Sequence, residues 1–236
     1  MSSQQLRITL AGSEHVVEAG TTAGAVLGSP GSPGPEQGVI AARVNGELRD
    51  LAHQVADGDV VEPVAVGSDD GRYIVRHSAA HVMAEAIQTV IPGTKLGFGP
   101  AIDDGFYYDV DAPRPITEDD FPAIEAEMAR IIASKAPFGR SVMSIDDARA
   151  FFGEQGENFK VDQIDFLAGQ GESTVSLYRD RDFVDLCRGP HVQDTGRIGP
   201  VKLMSVAGAY WRGSEKNPQL TRLDATTFTQ KKDLEA

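Results

Sequence analysis

The sequence predicts an α+β protein in two parts: a small N-terminal β-grasp, ubiquitin-like module over residues 1–66, then a larger α+β domain over residues 67–236. Three observations predict it. Short alternating strands surround one short helix in the first 66 residues, and a polar break, Gly67-Ser68-Asp69-Asp70-Gly71, follows them. Beyond the break, helical and strand periodicities alternate in longer segments.

Taken in order, "LRITL" reads as a strand, Gly12-Ser13 as a turn and "HVVEA" as a second strand, after which Thr21 or Thr22 caps a short helix reaching Leu27. The Gly/Pro-rich residues 28–38 lead into "VIAARVNGELRDL", where Asn45-Gly46 signals a hairpin turn, and "DGDVVEPVAV" supplies a closing strand. Strand, strand, helix, strand, strand is the order of a β-grasp. Its histidines, His15 and His53, are isolated and read as surface or structural residues. In the second part a helix is expected from about Arg76 to Ile91, ended by Pro92-Gly93. The stretch "KLGFGPAIDDGFYYDVD" reads as a hairpin. A helix follows Thr117, with three acids in its first turn, and Ser144 opens another that ends near Gly153. Strands are expected in "VSLYRDRDFVDLC", "VKLMSV" and "AYWRG", and the final "QKKDLEA" is helical in character.

Composition bounds the function. At 236 residues, 41% hydrophobic and 24% charged, the chain has the balance of a soluble globular protein. Its single cysteine, Cys187, rules out an intrachain disulfide and so does not call for an oxidising compartment. The N-terminus lacks a basic segment followed by an apolar run, and no apolar run of about 18 residues occurs, so the expectation is a cytoplasmic protein without a membrane partner. The net charge of −13 argues against broad phosphate contact, yet residues 179–222 hold eight Lys and Arg against five acids, where an anionic ligand can be met.

Two motifs carry chemistry. In "RHSAAH", His77 and His81 share a helical face with Ala84 and Gln88, while Ala79, Met83, Ala86 and Val90 gather opposite, on the face expected to meet the core. The histidines then face solvent or a cleft, and a lone H-x-x-x-H is more often solvated than functional. Ser78 stands where a zinc protease needs Glu, which excludes that class. The second motif is Cys187-Arg188-Gly189-Pro190-His191, whose Gly-Pro forbids a helix and places His191 on a loop beyond a strand. If the motifs converge, three imidazoles and one thiolate form either a tetrahedral zinc set, His77, His81, Cys187 and His191, or a polar pocket that activates water without metal. Asp185 points to the same strand face as Cys187. Lys160 in "NFKVD" and Tyr108 in "GFYYD" are polar groups set in apolar stretches, open to snorkelling and packing as much as to function.

"RHSAAH", "IDDGFYYDVD", "NFKV", "DLCRGPH" and "AGAYWRG", in this order, resemble the N-terminal half of the bacterial threonyl-tRNA synthetase family. The resemblance covers nearly the whole chain. It implies a TGS β-grasp domain at 1–66 and, at 67–236, an editing domain that includes the small second additional domain. The implied activity is hydrolysis of the ester joining serine to the terminal adenosine of threonine tRNA. Under it, His77 orients the attacking water and Lys160 polarises the ester or the water. His81, Cys187 and His191 complete the catalytic pocket, Asp185 holds the seryl group and Tyr108 positions the adenosine. Editing in this family implies no cofactor, with zinc as the alternative. ATP and a further zinc belong to an aminoacylation core whose motifs this sequence lacks, so these residues are expected to be a monomeric fragment of a homodimeric synthetase that does not itself charge tRNA. The competing expectations are a freestanding deacylase acting in trans and a non-catalytic tRNA-binding module.

Overall fold

The computed structural model describes residues 4–28 and 38–228. Most of the Gly/Pro run and the "QKKDLEA" ending lie outside the described residues. The chain divides into two compact units, Met1–Val75 with Gly189–Gln193, and Arg76–Arg188 with Asp194–Ala236.

The first unit contains β1 (Gln5–Leu10), β2 (Ser13–Glu18), α1 (Ala23–Leu27), β3 (Val39–Val44), β4 (Glu47–Arg49) and β5 (Val60–Ala65). Its sheet runs β2-β1-β5-β3-β4, with β1 parallel to β5 and the other pairs antiparallel. The period-two pattern of β1 buries Leu6, Ile8 and Leu10, and Val26 and Leu27 of α1 join the same core. Thr22 caps α1, its hydroxyl accepting from the Ala25 N–H at 3.2 Å. Asn45 and Gly46, at φ 52° and 84°, make the left-handed two-residue turn that their sequence signals. The segment 189–193 is held to this unit through the His191 N–H, which donates to Asp50 at 2.8 Å.

Helix α2 spans Asp69–Val90, seven residues longer at its start than the sequence indicates. The expected linker is its N-terminus: the Ser68 hydroxyl accepts from the Gly71 N–H at 3.0 Å, and Asp69 and Asp70 occupy the first turn, where the helix dipole favours acids. Composition alone does not separate a polar linker from a capped helix start. The expected division of α2 into a core face and a polar face also fails, because every residue from Ser78 to Ile87 is buried, including His81.

The second unit continues with β6 (Lys95–Leu96), β7 (Ala101–Ile102) and β8 (Gly105–Asp111), then α3 (Phe121–Ser134), β9 (Gly139–Ser144), α4 (Ile145–Glu154) and α5 (Asn158–Gly169). After these come β10 (Thr174–Asp180), β11 (Phe183–Leu186), β12 (Val201–Tyr210) and β13 (Gln219–Thr227). One sheet runs β11-β10-β9 and the other β12-β13-β8-β6, with β7 also on β8. Helices α4 and α5 bury Ala148, Phe152 and Ile164 against Val175 and Leu177 of β10. The register of β13 on β8 pairs Arg222 with the buried Asp109, whose carboxylate accepts two guanidinium bonds at 2.7 and 2.8 Å.

Four elements differ from the sequence reading, the first being β9, whose residues that reading left unassigned. Helix α5 is unforeseen, since its buried positions include Lys160, and a buried lysine hides the apolar period. Strand β13 is also unforeseen, because its buried residues at 220, 223 and 225 do not keep a period of two. "AYWRG" is the end of β12 followed by a 3-10 turn at Trp211–Gly213, not a separate strand.

On α2, Glu85 lies one turn beyond His81 and meets Arg181 in the β10–β11 turn, beside the buried Asp180. Burial, with Asp180 as neighbour, outweighs Arg181 and pushes Glu85 up to about 8. Burial raises Asp180 as well. The folded cluster therefore keeps a proton that the unfolded chain releases above about pH 4.5, so its contribution to stability falls as pH rises from about 4.5 to 8. Glu85→Gln, a neutral isostere, should raise the melting temperature relative to the parent more at pH 8 than at pH 5. An equal shift at both values contradicts the shared-proton reading.

Candidate functional site

The second unit brings the sequence-predicted groups from four elements together. Helix α2 supplies His77 and His81 one turn apart, α5 supplies Lys160, β8 supplies Tyr108, and β11 with the residue after it supplies Asp185 and Cys187. The alternation of β8 turns Tyr108 inward, and Gly99 makes room for it: a Cβ at Gly99 would lie 2.2 Å from the Tyr107 carbonyl oxygen and 2.3 Å from the Tyr108 ring.

At the centre is a buried charge network. Lys160 is 3%, Asp185 1% and Tyr108 1% exposed. The Lys160 ammonium pairs with Asp185 Oδ1 and donates to the Tyr108 hydroxyl at 2.8 Å. That hydroxyl donates in turn to Asp185 Oδ2 at 2.6 Å, and the Leu186 N–H donates to Oδ1 at 2.8 Å. Burial alone would raise the Asp185 carboxyl, but Lys160, His81 and Tyr108 together hold it below the usual range. Burial, then the neighbouring Asp185 charge, raises the Tyr108 phenol well above its ordinary value, so it stays a neutral hydroxyl. The snorkelling alternative for Lys160 does not apply.

Beside this network stand the histidines. His77 is half-buried, and its Nε2 is 3.2 Å from Cys187 Sγ. The His81 ring meets the His77 ring edge-on at 5.4 Å and that of Phe183 at 6.4 Å. Its Nε2 is 3.7 Å from Asp185 Oδ2, beyond a hydrogen bond. Burial drives His81 from 6.5 down to about 3, despite the opposing pull of Asp185, so it is a neutral imidazole at physiological pH. A base that weak is a poor proton acceptor at neutral pH. His191 is buried in the 189–193 segment.

His77, His81 and Cys187 each offer a ligand atom, all within 4.8 Å of one another. Nitrogen and sulfur donors of this kind suit zinc, and the neutral state of His81 leaves it able to coordinate, so these side chains fit that metal. The Lys160 ammonium already places a positive charge next to the same pocket.

Residues 175–224 match the threonyl and alanyl tRNA synthetase second additional domain. The stretch includes Asp185, Cys187 and His191. The chain is similar over 98% of its length to the threonine–tRNA ligase of Oleidesulfovibrio alaskensis, at 48% identity, covering 36% of that protein. It is 46% identical to those of Thermobifida fusca and Nitratidesulfovibrio vulgaris, over 98% and 97% of the chain and 37% and 35% of theirs. This chain is homologous to one region of the threonine–tRNA ligases. It spans about 36% of the length of these relatives, the region that contains the second additional domain. Among the described residues, no helix is long and apolar enough to cross a membrane.

Asp185→Asn should cost about 3–5 kcal/mol in denaturant unfolding, because it strands the Lys160 ammonium in the interior. Acid should act through His81. The unfolded imidazole takes up a proton below about pH 6.5 and the folded one only near pH 3, so stability should fall across that window, by up to about 1.4 kcal/mol per pH unit. His81→Gln should flatten that slope, as read from urea titrations at pH 6.5 and 4.5.

Proposed function

We propose that this chain is the N-terminal editing region of a threonine–tRNA ligase, and that it hydrolyses seryl esters of threonine tRNA in the cytoplasm. In this reading residues 1–66 are a TGS domain of β-grasp fold, which the sheet order β2-β1-β5-β3-β4 supports, and residues 67–236 are the editing domain. The observation that carries it is the buried cluster: a lysine, an aspartate, a neutral histidine and a histidine–cysteine pair meet in one unit. A surface that only bound tRNA would not require such costly burial.

The chemistry calls for a second site. Serine lacks one methyl of threonine, and a pocket discriminates a single methyl by about 1–3 kcal/mol, so mischarged tRNA must be removed after it forms. His77, half-buried and beside Cys187, orients the water and takes its proton. The Lys160 ammonium polarises the ester carbonyl and stabilises the oxyanion that develops there. Asp185 and Tyr108 aim that ammonium and exclude its alternatives, besides contacting the seryl group and the terminal adenosine. His81 stays neutral and shapes the pocket. His191, four residues past Cys187, completes its wall.

Water activation without metal is the first reading, because Lys160 supplies the electrophile. Zinc is the second reading: His77, His81 and Cys187 of the second unit offer nitrogen and sulfur donors, His191 is the proposed fourth ligand, and bound zinc would supply Lewis acidity and a more acidic water.

His77→Ala and Lys160→Ala should each slow serine release from seryl-tRNA by at least about 100-fold, measured as deacylation of labelled ester; Lys160→Ala also strands the buried Asp185 carboxylate, so its rate is read at a temperature where circular dichroism shows the variant folded. Rates unchanged in either variant would overturn the assignment of that residue. Elemental analysis separates the two water-activation readings: one zinc per chain, lost on Cys187→Ala, selects the metal.

A further inference from the structure

A groove of about 1010 Å³ opens on the second unit with Cys187 among its lining residues, so it is continuous with the cluster described above. Its volume lies above the roughly 300–1,000 Å³ typical of sites for one drug-sized ligand. Two phenylalanines line it with unusual exposure, Phe98 at 37% and Phe166 at 45%. Both are mounted rather than loose. Phe98 packs at 5.2 Å on the buried Trp211, whose Nε1 donates to Asp162 at 2.9 Å. The Arg212 guanidinium lies 4.5 Å over the Phe166 ring.

Arg212 is placed with some strain, since its backbone sits at φ 53°, ψ 26°, a left-handed conformation that non-glycine residues rarely adopt. Its guanidinium is anchored on the Asp162 carboxylate at 2.8 Å and on Gln163 at 3.2 Å. Arg140 and Arg188 also line the groove. Among the described residues Arg140 has no acidic partner, and Arg188 reaches Glu172, the groove's one acid, at only 3.8 Å. A chain of net charge −13 thus concentrates arginines along one groove. Flat aromatic faces interleaved with arginines suit unpaired nucleotides, whose bases stack and whose phosphates meet the cations. A duplex would bury its bases away from such platforms.

We propose that this groove carries the unpaired 3′ strand of the tRNA, with nucleotides preceding the terminal adenosine stacked on Phe98 and Phe166 and their phosphates near Arg140 and Arg188. The proposal rests on the ester-hydrolysis reading for the direction of the strand, which ends at Cys187. It adds a binding subsite for residues that take no part in the chemistry.

Two substrates test it: seryl-tRNA and the seryl ester of adenosine alone. Phe166→Leu keeps apolar bulk and removes the stacking face. It should raise KM for seryl-tRNA about tenfold or more with kcat little changed, and leave hydrolysis of the adenosine ester unaffected. Arg140→Ala should lower the salt dependence of tRNA binding by about 0.7 in log–log slope, as for one lost phosphate contact on a single strand. Equal losses on both substrates would place the reacting nucleoside itself in the groove and overturn the proposal. So would unchanged tRNA kinetics, the result expected if the groove serves a peptide. Should the parent hydrolyse neither substrate, the ester-hydrolysis reading fails separately. The groove is then judged by binding of a fluorescent four-nucleotide RNA ending in adenosine, weaker in Phe166→Leu if the subsite exists and equal if it does not.

Discussion

The ion pair between Lys160 and Asp185, locked by the Tyr108 hydroxyl, is the constraint around which the second unit is arranged. Three elements distant in sequence, α5, β11 and β8, must each deliver one member to within hydrogen-bond reach. Removing two charges from water is costly, and their mutual attraction recovers that cost only when the geometry is good and the remaining lone pairs are occupied. Here they are: Asp185 receives the ammonium, the phenol and the Leu186 N–H. Such a network contributes little net stability but fixes the position of one ammonium.

Burial divides the two histidines of α2 into different groups. His81, enclosed by Asp185, Phe183 and the His77 ring, loses its basicity to desolvation and becomes a neutral polar wall. His77, one turn nearer the helix start, is only half-buried and faces the Cys187 sulfur. Two chemically identical side chains one turn apart thus differ through their neighbours alone, as when a site needs one imidazole to handle protons and another to stay inert. Further along α2, Glu85 with Asp180 and Arg181 ties the helix to the turn of the hairpin that carries Asp185 and Cys187.

Acidity of the whole chain does not preclude a polyanionic ligand, because field depends on where charges sit. Of the arginines of the groove, Arg140 has no acidic partner among the described residues and Arg188 only a distant one, whereas Arg212 is held by Asp162, and Arg222, outside the groove, is spent on the β13–β8 register through Asp109. The local basic excess in residues 179–222 therefore contains tightly paired and weakly paired cations together, and only their partners tell them apart.

Much of this protein was legible in its sequence where local rules operate: the Asn45-Gly46 turn, the caps at Thr22 and Ser144, and the alternation of β1. That His77 and His81 could meet Cys187 was raised as a condition by the chemistry of their side chains and their resemblance to a known family, and the second unit does bring these three together. What escaped were features set by burial. Helix α5 was hidden because its Lys160 points inward, and the polar face expected on α2 was hidden because both faces of that helix are covered. Local sequence determines turns, caps and the residue types available for chemistry, since these depend on neighbours along the chain. Which histidine stays neutral, where the lysine finds its counter-charge, and which arginines line the groove beside Cys187 depend on desolvation and on partners tens of residues away, and only the tertiary structure decides them.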